Sequence, residues 1–300
     1  MAMAKASILV AIFILLLTFL FRSNAGGIAV YWGQEDNEGS LADACNSGLY
    51  QYVMVAFLCD FGNFQTPTLN LAGHCDPPSG GCTGLSNDIG TCQSKGIKVL
   101  LSLGGGAGNY GFQSQDDARN LAQYLWDNYF GGQSNNRPLG GASLDGIDLD
   151  IEQGSSNYYS DLVGRLDQLG QQNGQQLTFS AAPQCPFPDQ WDNPVLQTGL
   201  INLVWIQFYN NPECEYNSGD PSAFQNSWNQ WTSSIPASQF FVGLPASPSA
   251  AGDGYVDPSD VNSGILPFIK QSGGKYGGIM LWDRGCDIQT GFSNQIIGNV

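Results

Sequence analysis

The chain has 300 residues, with 10 Lys and Arg against 26 Asp and Glu, a net charge of −16 and 42% hydrophobic residues. That length fits one large barrel or two ordinary domains. The hydrophobic share excludes a disordered chain, and so acidic a surface excludes nucleic acid and anionic membranes as partners while leaving a neutral substrate open.

The chain opens on a targeting pattern. Lys5 precedes an apolar run from Ile8 to Phe21, and Ser23-Asn24-Ala25 is a small-residue cleavage site. The run is short for a membrane span, so residues 1–25 read as a secretory signal peptide, with an uncleaved signal anchor as the alternative. Cleavage removes Lys5 and Arg22 and no acid, which takes the net charge from −16 to −18. Residues 26–300 are then expected as a secreted protein, extracellular or vacuolar, and as a monomer. No Asn-x-Ser/Thr acceptor occurs, so no N-linked glycan is expected. Eight cysteines (Cys45, Cys59, Cys75, Cys82, Cys92, Cys185, Cys214, Cys286) fit an oxidising compartment, and none has zinc-finger spacing. Spacing alone leaves their pairing open.

Short apolar, β-rich runs then alternate with polar helical stretches. The predicted strands are Ile28–Tyr31, Tyr52–Phe57, Lys98–Leu103, Gly146–Ile151, Thr178–Ala182, Leu203–Phe208, Phe240–Leu244 and Gly278–Leu281. Helices are predicted at Leu85–Lys95, Ser114–Tyr129, Ser156–Gln171 and Pro221–Trp231, with Ser114 as an N-cap ahead of Asp116 and Asp117. Eight strand–helix units without a Pro/Ser-rich linker predict a single (β/α)8 TIM barrel, fold class α/β. A doubly wound open sheet is the runner-up, but Gly104-Gly105-Gly106 is not its phosphate-binding fingerprint.

The fourth predicted strand is the unusual one. Alternation places Asp148, Asp150 and Glu152 on one face and Ile147, Leu149 and Ile151 on the other. A strand covered on both faces would bury three carboxylates in a row, and buried unpaired charge costs several kcal/mol. Carboxylates a strand step apart do not all ionise freely, so one stays protonated and can serve as a general acid. A solvated acidic face is the bland alternative. A calcium loop fails, because Gln153 rather than Gly follows the last acid. Barrel chemistry lies at strand C-termini, where Tyr31, Trp32, Gln34, Gly104–Gly106, Gln207, Tyr209, Asn210 and Trp282 also fall. Aromatic faces and amides around an acid suit a sugar.

Asp145-x-x-Asp148-x-Asp150-x-Glu152 resembles the signature of family-18 glycoside hydrolases. The rest of the chain is similar to the plant class III, hevamine-like acidic endochitinases. The matching stretches are Ala29–Gln34, Leu69–Cys75, Ser102–Gly106, Ala181–Asp189, Trp205–Pro212 and Tyr276–Trp282. The resemblance implies a chitinase with possible lysozyme activity that acts on chitin and N-acetylglucosamine oligosaccharides, a role in plant defence, and no cofactor or metal. Carried over by position, it makes Glu152 the general acid. Asp150 orients the substrate acetamido group, with Tyr209 opposite it and Asp148 a buried partner beneath. Trp282 becomes the floor under the cleaved sugar, and Asn70, Gly106, Ala107 and Gln207 become substrate contacts; Gln34 and Tyr31, from the end of the first predicted strand, are expected among the substrate contacts as well. It further implies disulfides Cys45–Cys92, Cys75–Cys82 and Cys185–Cys214 and non-proline cis peptides at Ala56–Phe57 and Trp282–Asp283. Cys59 and Cys286 fall outside the pattern, and a fourth bridge or two free thiols both stay open. The alternative function on the same barrel is a catalytically weak chitin-binding, storage or calcium-binding protein.

Overall fold

The computed structural model describes residues 26–300, so the signal segment at 1–25 lies outside the described residues. Eight parallel strands close on themselves: β1 (Gly27–Trp32), β2 (Tyr52–Gly62), β4 (Lys98–Gly104), β6 (Gly146–Asp150), β7 (Thr178–Ala181), β8 (Leu203–Gln207), β9 (Gln239–Pro245) and β10 (Tyr276–Trp282). Pairing of β1 with both β10 and β2 completes the barrel. Two short strands not anticipated from sequence, β3 (Thr68–Leu69) and β5 (Asn109–Gly111), pair with an extension of β2 beyond Phe57. That extension carries chain up over the C-terminal rim.

The helices α1 (Leu41–Asn46), α2 (Leu85–Ser94), α3 (Gln115–Tyr129), α4 (Tyr159–Gln172), α5 (Asn193–Leu196) and α6 (Ser222–Ser234) lie among the elements packed around the barrel. Ser114 caps α3 by accepting from the Asp117 N–H. Strand residues facing outward, such as Ile147, Leu149 and Val204, join the helices in the main core. Those facing inward, among them Met54, Leu100, Trp205, Phe241 and Met280, fill the barrel. The barrel is therefore a packed plug, and its chemistry is pushed to the rim.

Three disulfides join Cys45–Cys92, Cys75–Cys82 and Cys185–Cys214, while Cys59 and Cys286 are free and half-buried. The Ala56–Phe57 and Trp282–Asp283 peptides are cis, as is Phe187–Pro188. Among the described residues no helix is long and apolar enough to cross a membrane.

Candidate active site

β6 delivers the acids in layers. Asp145, at its foot, points away from the interior and binds Lys98 Nζ at 3.1 Å and the Val99 N–H at 3.0 Å, so it ties β6 to β4. Asp148 sits fully buried in the barrel and accepts four bonds. These come from Tyr31 Oη (2.8 Å), Ser102 Oγ (2.7 Å), Ser180 Oγ (2.6 Å) and Trp205 Nε1 (2.8 Å), one each from β1, β4, β7 and β8. Burial pushes the Asp148 carboxyl above its usual range, and these four donors pull against it.

Asp150 ends the strand one layer higher and is 4% exposed. Burial, followed by the charges of Glu152, Asp148 and Asp192, holds its carboxyl well above the usual range. Glu152 follows at the mouth and is also raised by burial, with bonds from Gln207 and Asp150 pulling it down. The interaction of the two carboxyls raises Asp150 and lowers Glu152, so of the two Asp150 is favoured to hold a proton. Gln207 Nε2 bridges the pair, 2.9 Å from Asp150 Oδ1 and 3.2 Å from Glu152 Oε1, and also reaches the Ala182 carbonyl at 2.9 Å. Two interacting carboxyls of this kind titrate as a unit.

Glycine lets the neighbouring strand come close. The Gly105 N–H donates to the Asp150 carbonyl at 2.8 Å, and a Cβ on Gly104 (φ 111°) would lie 2.2 Å from that carbonyl oxygen. Tyr110 closes the arrangement: its hydroxyl donates to the Gly105 carbonyl at 2.7 Å and accepts from the Glu152 N–H at 3.1 Å. Tyr209 is 7% exposed, and burial with the Asp150 and Glu152 charges holds its phenol well above the usual range. It is a neutral donor beside the acids.

A cleft of about 510 Å³ opens beside this pair, lined by Gln34, Asn70, Gly106, Ala107 and Trp282 along with Phe57 and Cys59. Trp282 stacks near Phe57 (5.9 Å, 26° between planes) and meets Tyr31 edge-on at 5.4 Å. A larger depression of about 590 Å³ lies between α6 and Phe268–Lys275 and has no carboxylate in its lining.

The sequence places Tyr31 among the sugar contacts, and the structure puts it elsewhere. Tyr31 is 2% exposed with its hydroxyl bound to Asp148, so it props Trp282 from behind. Trp32 is likewise buried, its Nε1 donating to the Gly39 carbonyl. Gln207 is 4% exposed, and its amide nitrogen is engaged by the acids and a carbonyl, so it positions them rather than reaching outward. Gln34 lines the cleft, but its nitrogen holds the Ala56 carbonyl at 2.8 Å.

Sequence reasoning misses Ser102, Ser180, Trp205 and Tyr110. A serine in an otherwise apolar strand was the available signal for the first two. It also misses Asp192, fully buried with neither carboxyl oxygen bonded to a side chain, and Asp189, which accepts from the Gln184, Trp191 and Asp192 N–H groups. Among the described residues no three His, Cys, Asp or Glu side chains form a group that could hold a metal.

The arrangement can hold one proton between two carboxyls, at the end of a barrel strand, beside an aromatic-floored cleft. Comparison with known proteins gives the chain's relatives. Glycosyl hydrolases family 18 matches residues 27–255. An acidic endochitinase of Vitis vinifera is 54% identical over 95% of each chain. The crystal structure of the ICChI chitinase from Ipomoea carnea superposes with a TM-score of 0.88 at 48% identity, covering 92% of this chain and 100% of that one. A xylanase and alpha-amylase inhibitor protein, XAIP-II, from Scadoxus multiflorus reaches a TM-score of 0.85 at 43% identity, covering 92% and 99%.

Proposed function

The chain belongs to the glycosyl hydrolases of family 18, as a chitinase of the plant class III kind, and on that premise we propose that it cleaves chitin internally by a retaining, substrate-assisted route. The observation that carries this reading is the pair of carboxyls, buried Asp150 and half-buried Glu152, bridged by the Gln207 amide at the end of a barrel strand.

In this mechanism the proton that Asp150 holds in the resting pair passes to Glu152, which gives it to the glycosidic oxygen as the bond from the sugar's anomeric carbon to that oxygen breaks. The sugar's own acetamido carbonyl oxygen attacks the anomeric carbon and forms a cyclic oxazolinium ion. A tethered nucleophile reaches an effective molarity of roughly 10⁵ M or more in good cases. Asp150, left ionised, faces the positive charge on that ring, and Tyr209 donates to the acetamido group. Water then attacks the anomeric carbon from the side the leaving group vacated and returns a proton to Glu152, so configuration is retained. Trp282 is the floor for the ring, with Asn70, Gly106, Ala107 and Gln34 along the cleft. Residues 1–25 act as the secretory signal, and cleavage of bacterial cell-wall glycan is a second activity of the same site.

The test compares wild type with Glu152→Gln on colloidal chitin. Loss of at least roughly two orders of magnitude in kcat with folding preserved is expected of a general acid. Activity within a few-fold of wild type would overturn the assignment and favour a catalytically weak binding protein. NMR of the first product should show the β-anomer; an initial α-anomer would falsify the substrate-assisted route.

A further inference from the structure

Two aromatic side chains lie exposed on the described surface, Phe64 at 66% and Tyr158 at 38%. Both sit in the left-handed backbone region, with φ of 56° and 69°. A bulky residue rarely occupies that region, and such strain persists only where surroundings enforce it and tends to collect at functional sites. Both lie on loops that leave strand C-termini, after β2 and β6, on the face that carries the cleft.

The surroundings do enforce it. The buried carboxylate of Asp117 accepts from the N–H groups of Asn63 (2.7 Å) and Phe64 (3.1 Å). From the same helix α3, Gln115 bonds to Asp161 of α4, whose N–H donates to the Tyr158 carbonyl at 3.0 Å. One rigid frame therefore holds both displays. The frame is also continuous with the cleft: the Gln65 amide holds the Asn109 carbonyl at 2.7 Å, and the Asn109 N–H donates to Asp60, which lines the cleft. On the other side, Gln153 on the loop leading to Tyr158 holds the carbonyl of cleft-lining Gly108 at 2.9 Å.

We propose that Phe64 and Tyr158 are a rim platform for the solid substrate. They take the apolar faces of N-acetylglucosamine rings at the surface of insoluble chitin and hold the enzyme over the chain that enters the cleft. The proposal rests on the chitinase reading. Aromatic faces and exposed amides fit a neutral sugar lattice; Asn63, the chain neighbour of Phe64, and Asn109, whose amide reaches Gln65, are both exposed. A shallow depression of about 400 Å³ next to Phe64, lined in part by Pro67 and Tyr124, adds room for a neighbouring ring.

The test uses the mature enzyme and the variants Phe64→Ala, Tyr158→Ala, Phe64→Trp and the double alanine variant. Each is measured for binding to insoluble chitin, for sugar release from it, and for kcat/KM on a soluble chitin hexamer. Loss of one aromatic contact should weaken binding to the solid by about three- to tenfold and slow sugar release with it. The double variant should lose more, Phe64→Trp should keep binding, and soluble turnover should stay within about twofold of wild type. Unchanged binding to the solid, an equal fall on both substrates, equal losses for Phe64→Ala and Phe64→Trp, or a dimer that the alanine variants abolish would each overturn it. A wild type inactive on both substrates would instead sink the chitinase mechanism itself, so the two failures are distinguishable.

Discussion

Gln207 donates its side-chain amide to Asp150 across 2.9 Å, and its nitrogen also stands 3.2 Å from Glu152. One amide thereby ties the two upper carboxyls into a unit. Its bond favours the ionised form of Glu152, so removing it raises that carboxyl further. Gln207→Met keeps the length and loses the donor. Its kcat/KM should fall at least about tenfold, equivalent to about 1.4 kcal/mol. The alkaline limb of its pH profile should also move upward, because Glu152 holds its proton to higher pH. A profile superimposable on that of wild type would separate Gln207 from the acids.

Asp148 is a structural hub of the barrel. Four buried donors converge on it, and Trp205 Nε1 has no capacity to accept. Asp148→Asn turns an acceptor oxygen into a donor facing donors, which should cost about 3–5 kcal/mol, the scale for breaking a buried charge-assisted group. Denaturant unfolding of the inactive variant checks this, and an unchanged midpoint at unchanged slope would refute it.

Stability should fall as pH rises from the ordinary carboxylate range toward neutrality. Asp283 is pushed up to about 6 by burial, and Asp192 well above its usual range by burial and then by the charges of Asp189, Asp148 and Glu152. A raised acid binds its proton more tightly folded than unfolded. The stabilisation is therefore complete below the unfolded pKa and is lost as pH climbs through the folded one. Asp192→Asn keeps the neutral form at every pH. Thermal unfolding of this variant between pH 4 and 8 should show a flatter slope than wild type and equal or greater stability at pH 7.

His74, the single histidine, works in the same direction at higher pH. Its bond to the fully buried Glu38 (3.0 Å) raises it above its usual range, with burial opposing. The same Glu38 oxygen accepts from the N–H groups of Gly33 (2.7 Å) and Glu35 (3.0 Å), the turn that carries Gln34 into the cleft. The pair's contribution is present below the usual histidine pKa and is lost as pH rises through the raised one. His74→Gln should lower stability at pH 6 by about 1 kcal/mol, since the ring is only partly buried, and by less at pH 9. It should also raise KM a few-fold through the loosened turn, which steady-state kinetics on a soluble oligomer will read.

The sequence by itself determined the barrel and the acidic face. Eight apolar runs separated by helical stretches allow few other closures, and the alternation in Gly146–Ile151 places Asp148, Asp150 and Glu152 on one side whatever the rest does. Tertiary structure decided what each acid is. Pairing of β4 with β6 and of β6 with β7 sets Ser102 and Ser180 opposite Asp148 in register, bringing together residues 46 and 32 positions away. The same closure brings Gln207, 55 positions from Glu152, between the two upper acids and leaves Tyr31 under the floor instead of in the cleft. Side-chain direction is a local property of a strand, so pattern reveals it. Register between distant strands and the depth at which a carboxyl loses its water arise only when the barrel closes, and those two quantities set which carboxyl holds the proton.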